Sequence, residues 1–369
     1  MSKIIAIATA VPQYRHRQDD ILQFMQEAYA LPETDKRKVR FLYHQSGIAH
    51  RHSVIPDYGL PMSEWEFYPR NEDLEPFPSI ESRMKWYHNC AAPLSVDAIR
   101  QCLGHRILPE EITHLITVSC TGMSAPGLDL EVMELMNLSR NIYRTSVNFM
   151  GCYAAIHAMK IGDMICKAEK NAHVLIVCTE ICTLHFQHDA SMDNIASGLL
   201  FADGAAAILM TNEEHPTKGL HLDGFYSEVV PKGKNDMTWE ISSTGFLMTL
   251  SGYVPGLIGE DIESLVLRGL QHTARKKEDI THWCIHPGGK KIIDAVEKKL
   301  NLQPSDTKIS RQVLNQYGNM SSPTILFVLK EMMQHFDDNK QNDVFGLAFG
   351  PGLTMETFVA SQKPINNLT

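Results

Sequence analysis

The stretch that decides the fold is NFMGCYAAIHAMKIGDMICK, residues 148–167. From Cys152 onward it is apolar on nearly every helical face for three turns, which is typical of a helix in the centre of a core. The runs HLITVSC (114–120) and HVLIVCT (173–179) on either side of it have the pattern of buried strands. A strand, a buried helix and a second strand in this order predict α/β layers with mostly parallel sheets.

The same pattern occurs a second time further along the chain. Residues 110–116 (EEITHLI) resemble residues 278–285 (EDITHWCI), and residues 148–152 (NFMGC) resemble residues 315–319 (NQYGN). The two matches share one register, and each ends shortly before an apolar helical segment. Two such matches predict an internal duplication with two pseudo-symmetric α/β halves.

This duplication predicts a boundary between residues 212 and 240, with an N-terminal half over 1–225 and a C-terminal half over 226–369. It also predicts that Cys152 and Asn319 occupy equivalent strand-to-helix corners. Equivalent corners can face each other across a pseudo-two-fold axis, so the thiol and the carboxamide could share one site.

Composition narrows the range of functions. The 369 residues include 34 basic and 43 acidic side chains, a formal charge of −9 that disfavours nucleic acid as a partner. No apolar run reaches the roughly 18 residues of a membrane span, and residues 4–11 fit a first strand better than a signal peptide. The eight cysteines are scattered and form no CxxC pair, which favours reduced thiols and a cytoplasmic protein.

Three polar side chains stand where an α/β protein places chemistry. Cys152 follows Gly151 and opens the buried helix, whose N-terminal N–H groups favour a thiolate; the alternative is a small buried apolar residue. His286 ends a strand at IHPGG, although a lone histidine is more often structural. Asn319 in YGNMSS by itself predicts a turn residue before a helix over 323–336, with Ser322 as its N-cap.

Other motifs are weaker. His282 and His286 could share one side of a strand, but no third ligand stands at a convincing spacing, so no metal is expected. FGPGLTMET (349–357) predicts a backbone wall packed closely against a neighbour. The basic run 36–40 with Arg51 fits either a solvated face or the phosphates of a CoA carrier.

Taken together, GCYAA, IHPGG, YGNMSS and FGPGLTMET resemble the type III polyketide synthases, the chalcone synthase family of thiolase-fold condensing enzymes. The resemblance extends over nearly the whole chain, including PGLDLEVMELMNL, LFADGAAAIL and VPGLI. It implies a thiolase-like fold layered α-β-α-β-α, a homodimer, and an acyl-CoA starter and malonyl-CoA as substrates, with no metal or other cofactor.

The resemblance also assigns roles to residues. It implies that Cys152 is the nucleophile, that His286 and Asn319 are catalytic, and that Phe201 in LFADG gates the site. The CoA-binding residues that it implies are Lys38, Arg40 and Arg51.

Several cavity positions depart from the plant pattern. Trp239 stands where a small glycine is usual, Met248 aligns with a second gating phenylalanine, and His185 and Cys120 each replace a threonine. Ser321 is assigned to the same cavity. Ala125 replaces a methionine that reaches across the dimer interface. We therefore expect a pyrone, a resorcinol or a short malonyl-derived ring as the product, and not chalcone.

Two rival functions share some of these residues. A β-ketoacyl-carrier-protein synthase of type III has the same fold and a Cys-His-Asn set. A cysteine hydrolase also uses Cys, His and Asn, but it would release free acid without consuming malonyl-CoA. The expected activity is loading of Cys152, decarboxylation of malonyl-CoA, and iterative Claisen condensation followed by ring closure.

Overall fold

A mixed sheet flanked and divided by helices organises the computed structural model, which describes residues 1–364. The strands of the described chain are β1 (Ser2–Ala10), β2 (Tyr14–Arg17), β3 (His50–Ser53), β4 (His114–Ser119), β5 (Tyr143–Asn148), β6 (His173–Ile181), β7 (Asp203–Asn212), β8 (Leu220–Val229), β9 (Met237–Ser242), β10 (Gly245–Leu250), β11 (His282–Ile285), β12 (Asn342–Gly350) and β13 (Thr354–Gln362). The helices are α1 (Gln18–Ala28), α2 (Glu33–Gln45), α3 (Ile80–Leu103), α4 (Leu128–Leu135), α5 (Ala154–Ala168), α6 (Met192–Leu200), α7 (Val254–His272), α8 (Lys290–Lys299), α9 (Lys308–Tyr317) and α10 (Thr324–Met333).

The strand order of the sheet repeats itself. Nine strands run β11-β12-β13-β8-β1-β7-β6-β4-β5. Outward from its centre, β1 pairs antiparallel with β7, β7 antiparallel with β6, and β6 parallel with β4. On the other side β8, β13, β12 and β11 repeat these orientations, and β1 pairs antiparallel with β8 where the two series meet. This symmetry confirms the two pseudo-symmetric α/β halves of a thiolase-like fold.

One of the two sequence matches that predict the duplication, EEITHLI with EDITHWCI, contains threonines that make equivalent hydrogen bonds in the two halves. The Thr113 hydroxyl donates to the carbonyl of His173 over 3.1 Å and accepts from its N–H over 2.9 Å. Thr281 makes the same pair of bonds with Asp343, at 3.0 and 2.9 Å. The same residue type therefore joins the start of a strand to its parallel neighbour in both halves.

Two apolar helices form the middle layer. α5 packs on strands of the first half and on β13, while α10 packs on β11 and on β1 and β7. Residues of both helices belong to one buried core, from Ala154 to Met332, which follows from their apolar character on almost every face. α3 covers the outer face of the first half and α7 that of the second, completing the α-β-α-β-α layers.

Two local predictions are wrong, and one predicted helix is present but shorter than expected. NFMGC begins on the last residue of strand β5, but the equivalent NQYGN begins inside helix α9, so the second corner joins two helices. The helix expected over 323–336 begins at Thr324 and ends at Met333. Ser322 is not its N-cap, because the Ser322 hydroxyl donates to Glu180 in the interior instead.

The division at residue 225 lies inside β8, Leu220–Val229, so the strand order favours a boundary just before that strand. The last part of the predicted C-terminal half, residues 365–369, lies outside the described residues. Among residues 1–364, no helix is both long and apolar enough to cross a membrane. The same range holds no group of three or more His, Cys, Asp or Glu side chains suited to a metal ion.

Candidate active site

One cleft between the halves collects most of the residues predicted from the sequence. It encloses about 1130 Å³ of empty space, counted with its open mouth. Its lining includes ten of the predicted residues: Cys152, His286, Asn319, Phe201, Met248, Trp239, His185, Cys120, Ser321 and Arg51. The cleft therefore joins a thiol of the first half to an imidazole and a carboxamide of the second.

A tight turn delivers Cys152 to the cleft. Gly151 has a φ of +82°, a conformation that favours glycine, and a Cβ at this position would lie 2.4 Å from Cδ of Pro351. Cys152 follows this turn and lies two residues before the start of α5. The loop of the FGPGL motif thus packs directly against the turn, as the sequence predicted for residues 349–357.

Burial keeps the Cys152 thiol uncharged, contrary to the expectation from the sequence. It raises the pKa of Cys152 to about 11, although hydrogen bonds with the side chains of Ser321 and Asn319 act in the opposite direction. At neutral pH Cys152 is therefore a thiol and not the thiolate that its place before α5 suggested. If Cys152 is to act as a nucleophile, a base must take its proton.

His286 has the properties of that base. Its backbone N–H donates to the carbonyl of Leu347 over 2.8 Å, which fixes it just beyond β11. Its side chain is 1 % exposed, and neither ring nitrogen has a partner within the described part of the chain. Burial lowers the pKa of His286 to about 3, so the imidazole is neutral and can accept a proton or donate a hydrogen bond.

Asn319 is held on every side. Its N–H donates to the carbonyl of Leu200, and its carbonyl accepts from Ala202, each over 2.9 Å. The side-chain Nδ2 donates to the carbonyl of Gly288 over 3.3 Å, and Oδ1 accepts from the N–H of Ser321 over 2.8 Å. These bonds join Asn319 to both the Phe201 segment and the loop after His286.

The sequence motifs do not indicate Glu180, which lies near Cys152. The carboxylate is fully buried and accepts hydrogen bonds from the Cys120 N–H and from the Thr121 and Ser322 hydroxyls, over 2.7 to 2.9 Å. Burial raises its pKa to about 7 despite these donors. The available signal was a single acidic residue inside the otherwise apolar strand HVLIVCTEI.

A connected aromatic wall closes one side of the cleft. The rings of His185 and Phe246 stack with centroids 4.2 Å apart, and the Trp239 indole N–H donates to the Cys120 carbonyl over 2.7 Å. His185 Nε2 donates to the carbonyl of Thr121 over 2.7 Å, while its Nδ1 accepts from the Phe246 N–H over 3.1 Å. Phe246 was not predicted, and Met248 lines the cleft on the same strand.

The three basic residues assigned to CoA do not lie together. Lys38 and Arg40 are exposed on α2, outside the lining of the cleft, and Lys38 pairs with Asp35 over 2.8 Å. Arg51 is only 3 % exposed, and it donates to the carbonyls of Gly198 and Phe201. Arg51 therefore lies buried in the wall of the cleft, apart from the exposed cations of α2.

Comparisons with known proteins agree with this architecture. The family described as chalcone and stilbene synthases matches through its N-terminal domain over residues 1–214 and its C-terminal domain over residues 222–364. PKS-I of the brown alga Ectocarpus siliculosus is 28 % identical with a TM-score of 0.91, covering 98 % of both chains. The C-terminal type III polyketide synthase domain of Steely1 from Dictyostelium is 27 % identical with a TM-score of 0.89, covering 98 % of this chain and 99 % of that one.

A curated relative places the same region inside a much longer protein. The chain is 28 % identical over 367 residues to a polyketide synthase of Dictyostelium discoideum, covering 96 % of this chain and 11 % of the relative. The chain thus spans about a tenth of the length of that relative. Both halves of the sheet and both walls of the cleft fall within the two matched domains, and the chain belongs to the chalcone and stilbene synthase family.

Proposed function

We propose that the chain is a type III polyketide synthase that joins malonyl units to an acyl-CoA starter. The observation that carries this proposal is the convergence of Cys152, His286 and Asn319 in one cleft. The family and the likeness to type III polyketide synthases support it.

Loading of the starter uses Cys152 and His286. As Sγ attacks the thioester carbon of an acyl-CoA, its proton passes to the neutral imidazole of His286. The carbon–sulfur bond to CoA then breaks, and the imidazolium returns the proton to the departing CoA thiolate. The product is acyl-Cys152, with no net change in protons.

Extension uses His286 and Asn319. The malonyl-CoA carbon–carbon bond to the carboxylate breaks, carbon dioxide leaves, and the electron pair forms an enolate on the thioester. The His286 N–H and the Asn319 Nδ2 donate to its oxygen, an effect of about 3 kcal/mol for each donor in the transition state. The enolate carbon then attacks the acyl carbon of acyl-Cys152, the carbon–sulfur bond to Cys152 breaks, and the released thiolate takes up one proton. The product is a β-ketoacyl-CoA, which acylates Cys152 again when the cycle repeats.

The walls of the cleft shape the product. Phe201, beside Asn319, offers an apolar surface that favours loss of the malonyl carboxylate. Trp239 and His185 reduce the space beyond Cys152 and leave a neutral wall, since burial lowers the pKa of His185 to about 3. We propose a pyrone, a resorcinol or a related small ring as the product.

CoA and a second copy of the chain complete the proposal. We place the CoA phosphates near Lys38 and Arg40, the exposed cations of α2.

We propose a homodimer in which the edge strand β5 contributes to the interface, because its outer edge is unpaired within the described chain and Tyr143 is 68 % exposed. The free thiols of the eight cysteines fit a cytoplasmic location, and the reaction as written uses no metal or cofactor.

The test is to incubate the purified protein with labelled malonyl-CoA and a panel of acyl-CoA starters, and to identify the products by mass. Label in a pyrone or phenolic ring, lost in Cys152→Ala, is the expected result. Free acid released without malonyl incorporation would instead indicate a cysteine thioester hydrolase. Turnover restricted to carrier-protein esters would favour a β-ketoacyl-carrier-protein synthase III-like enzyme.

A further inference from the structure

Arg51 is a buried cation whose hydrogen bonds all go to uncharged oxygens of the cleft wall. It lies on β3, and its Nη1 donates to the carbonyl of Phe201 over 2.6 Å and to that of Gly198 over 2.8 Å. Its Nε donates to Oε1 of Gln18 over 2.9 Å. Burying a charge costs free energy unless hydrogen bonds of this kind compensate it. The guanidinium thus directs strong, charged donors at one part of the cleft wall.

That place is the C-terminal end of α6. Helices leave carbonyl groups unpaired at this end and carry partial negative charge there, so a guanidinium stabilises it. Phe201 is the C-cap residue of α6, immediately after Leu200. Arg51 therefore fixes the backbone from which the gating ring of Phe201 projects.

The same segment holds Asn319. Phe201 and Asn319 form a parallel β-bridge, through the bonds of Asn319 to Leu200 and Ala202. The aliphatic part of Arg51 lies against Gly318, where a Cβ would come within 2.9 Å of Arg51 Cγ. One side chain thus contacts the residue before Asn319 and bonds the residue that bridges to it.

We infer that Arg51 is a positioning residue for malonyl decarboxylation, acting through Phe201 and Asn319 and not through a contact with CoA. This inference rests on the proposed function. Starter loading depends on Cys152 and His286, and none of the hydrogen bonds of Arg51 goes to either residue. Loss of the guanidinium should therefore affect the two half-reactions unequally.

The experiment compares two rates in the full-length protein: release of carbon dioxide from malonyl-CoA alone, and acylation of Cys152 by an acyl-CoA in a single turnover. Arg51→Met keeps the apolar stem and removes the donors. We expect carbon dioxide release to fall by about tenfold to a hundredfold, with acylation and the malonyl-CoA KM changed by no more than about threefold. Arg51→Lys, which can still donate to a carbonyl, should recover part of the loss.

Two further variants separate positioning from loss of stability. Arg83→Met is the matched control, because Arg83 is also fully buried and also donates to backbone carbonyls, those of Pro78 and Leu184. It should lower the melting temperature without changing the ratio of the two rates. Arg51→Gln, which keeps a polar side chain but removes the guanidinium, should lower the ratio as Arg51→Met does, and it decides the matter if Arg51→Met does not fold.

Several results would overturn the inference. A raised KM for malonyl-CoA with unchanged kcat would identify Arg51 as a substrate contact. Equal falls in both rates would make its role structural, and a folded Arg51→Met with an unchanged ratio would remove it from the mechanism. If the unmodified protein releases no carbon dioxide, the proposed function itself fails and this inference fails with it.

Discussion

The two halves share a frame but differ at the corner that each contributes to the cleft. Thr113 and Thr281 make the same hydrogen bonds, and the strand order is repeated on both sides of the β1–β8 pair. Yet Cys152 follows an edge strand, whereas Asn319 follows α9. The frame is thus repeated while the corners differ, with a thiol in one half and a carboxamide in the other.

Each corner is clamped by the opposite half. The turn at Gly151 packs against Pro351, just before β13, and Asn319 bonds to Leu200 and Ala202, just before β7. β7 and β13 occupy equivalent places in the repeated strand order. The segments before β7 and β13 that hold the two corners are therefore related by the pseudo-symmetry, although the residues that they hold are of different types. This explains how two unlike corners meet in one cleft.

Removing the group that serves both corners should have the largest effect. His286→Ala leaves the Cys152 thiol, with its pKa near 11, without a base, and it also removes one donor to the enolate. We expect starter loading to fall by about a thousandfold. Single-turnover acylation followed by intact-protein mass checks this. The control is His282→Ala, in the strand that precedes His286 but outside the cleft lining. Near-normal loading would show that another group acts as the base.

Changing the aromatic wall of the cleft should alter the identity of the product more than the rate of carbon dioxide release. Trp239→Gly removes the indole and frees the Cys120 carbonyl to which it donates. We expect longer starters or additional extensions in the product spectrum, with carbon dioxide release within about threefold of the original. Leu247→Ala in the same hairpin is outside the cleft lining and should leave the products unchanged. An unchanged spectrum in Trp239→Gly would remove this wall from specificity.

The buried carboxyl of Glu180, near the corner at Cys152, should make the free energy of unfolding depend on pH. The pKa of Glu180 is raised from 4.5 to about 7, so the folded state favours its protonated form. Its destabilising contribution is absent below pH 4.5 and grows as pH rises to 7, reaching about 3 kcal/mol. Denaturant unfolding at several pH values should show this loss, and Glu180→Gln should reduce it.

The matched control for that measurement is Glu134→Gln, the same substitution at an exposed position outside the cleft lining. An equal pH dependence in Glu180→Gln and the unmodified protein would contradict the assignment.

The smallest effects on stability are expected for the two threonines whose hydrogen bonds are repeated in both halves. Thr113→Val and Thr281→Val each remove the same two bonds to the neighbouring strand, and Thr113→Val also removes the 2.8 Å bond to Nδ1 of His114. Each should lower the free energy of unfolding by about 1 kcal/mol, with any excess in Thr113→Val no larger than that one extra bond. Denaturant titration of the two variants side by side measures this. A clearly larger loss in one variant would mean that the two positions are equivalent in geometry but not in energy.

The fold was predictable wherever a pattern depends on local sequence. The buried helix α5, the strands beside it and the repeat all follow from apolar periodicity and a register of short matches. The match of NQYGN to NFMGC predicts a strand before Asn319, but the segment before it has the helical spacing of Ile309, Val313, Leu314 and Tyr317 and forms α9.

The site was predictable in its residue types but not in its electrostatics. GCYAA, IHPGG and YGNMSS identified three residues that the structure brings into one cleft. Burial decides the rest, and burial of Cys152, Glu180 and Arg51 comes from segments distant in sequence. A basic residue on a short strand therefore had the pattern of a surface cation, although the structure places it inside.

The most direct test of the central claim measures both half-reactions in two variants. Acyl groups on the protein are counted by intact mass, and carbon dioxide release from labelled malonyl-CoA is followed in parallel. We predict that Cys152→Ala loses the acyl adduct but still releases carbon dioxide, whereas Asn319→Ala keeps the adduct and loses about a hundredfold in release. Equal loss of both activities in both variants would contradict the division of labour between the two corners.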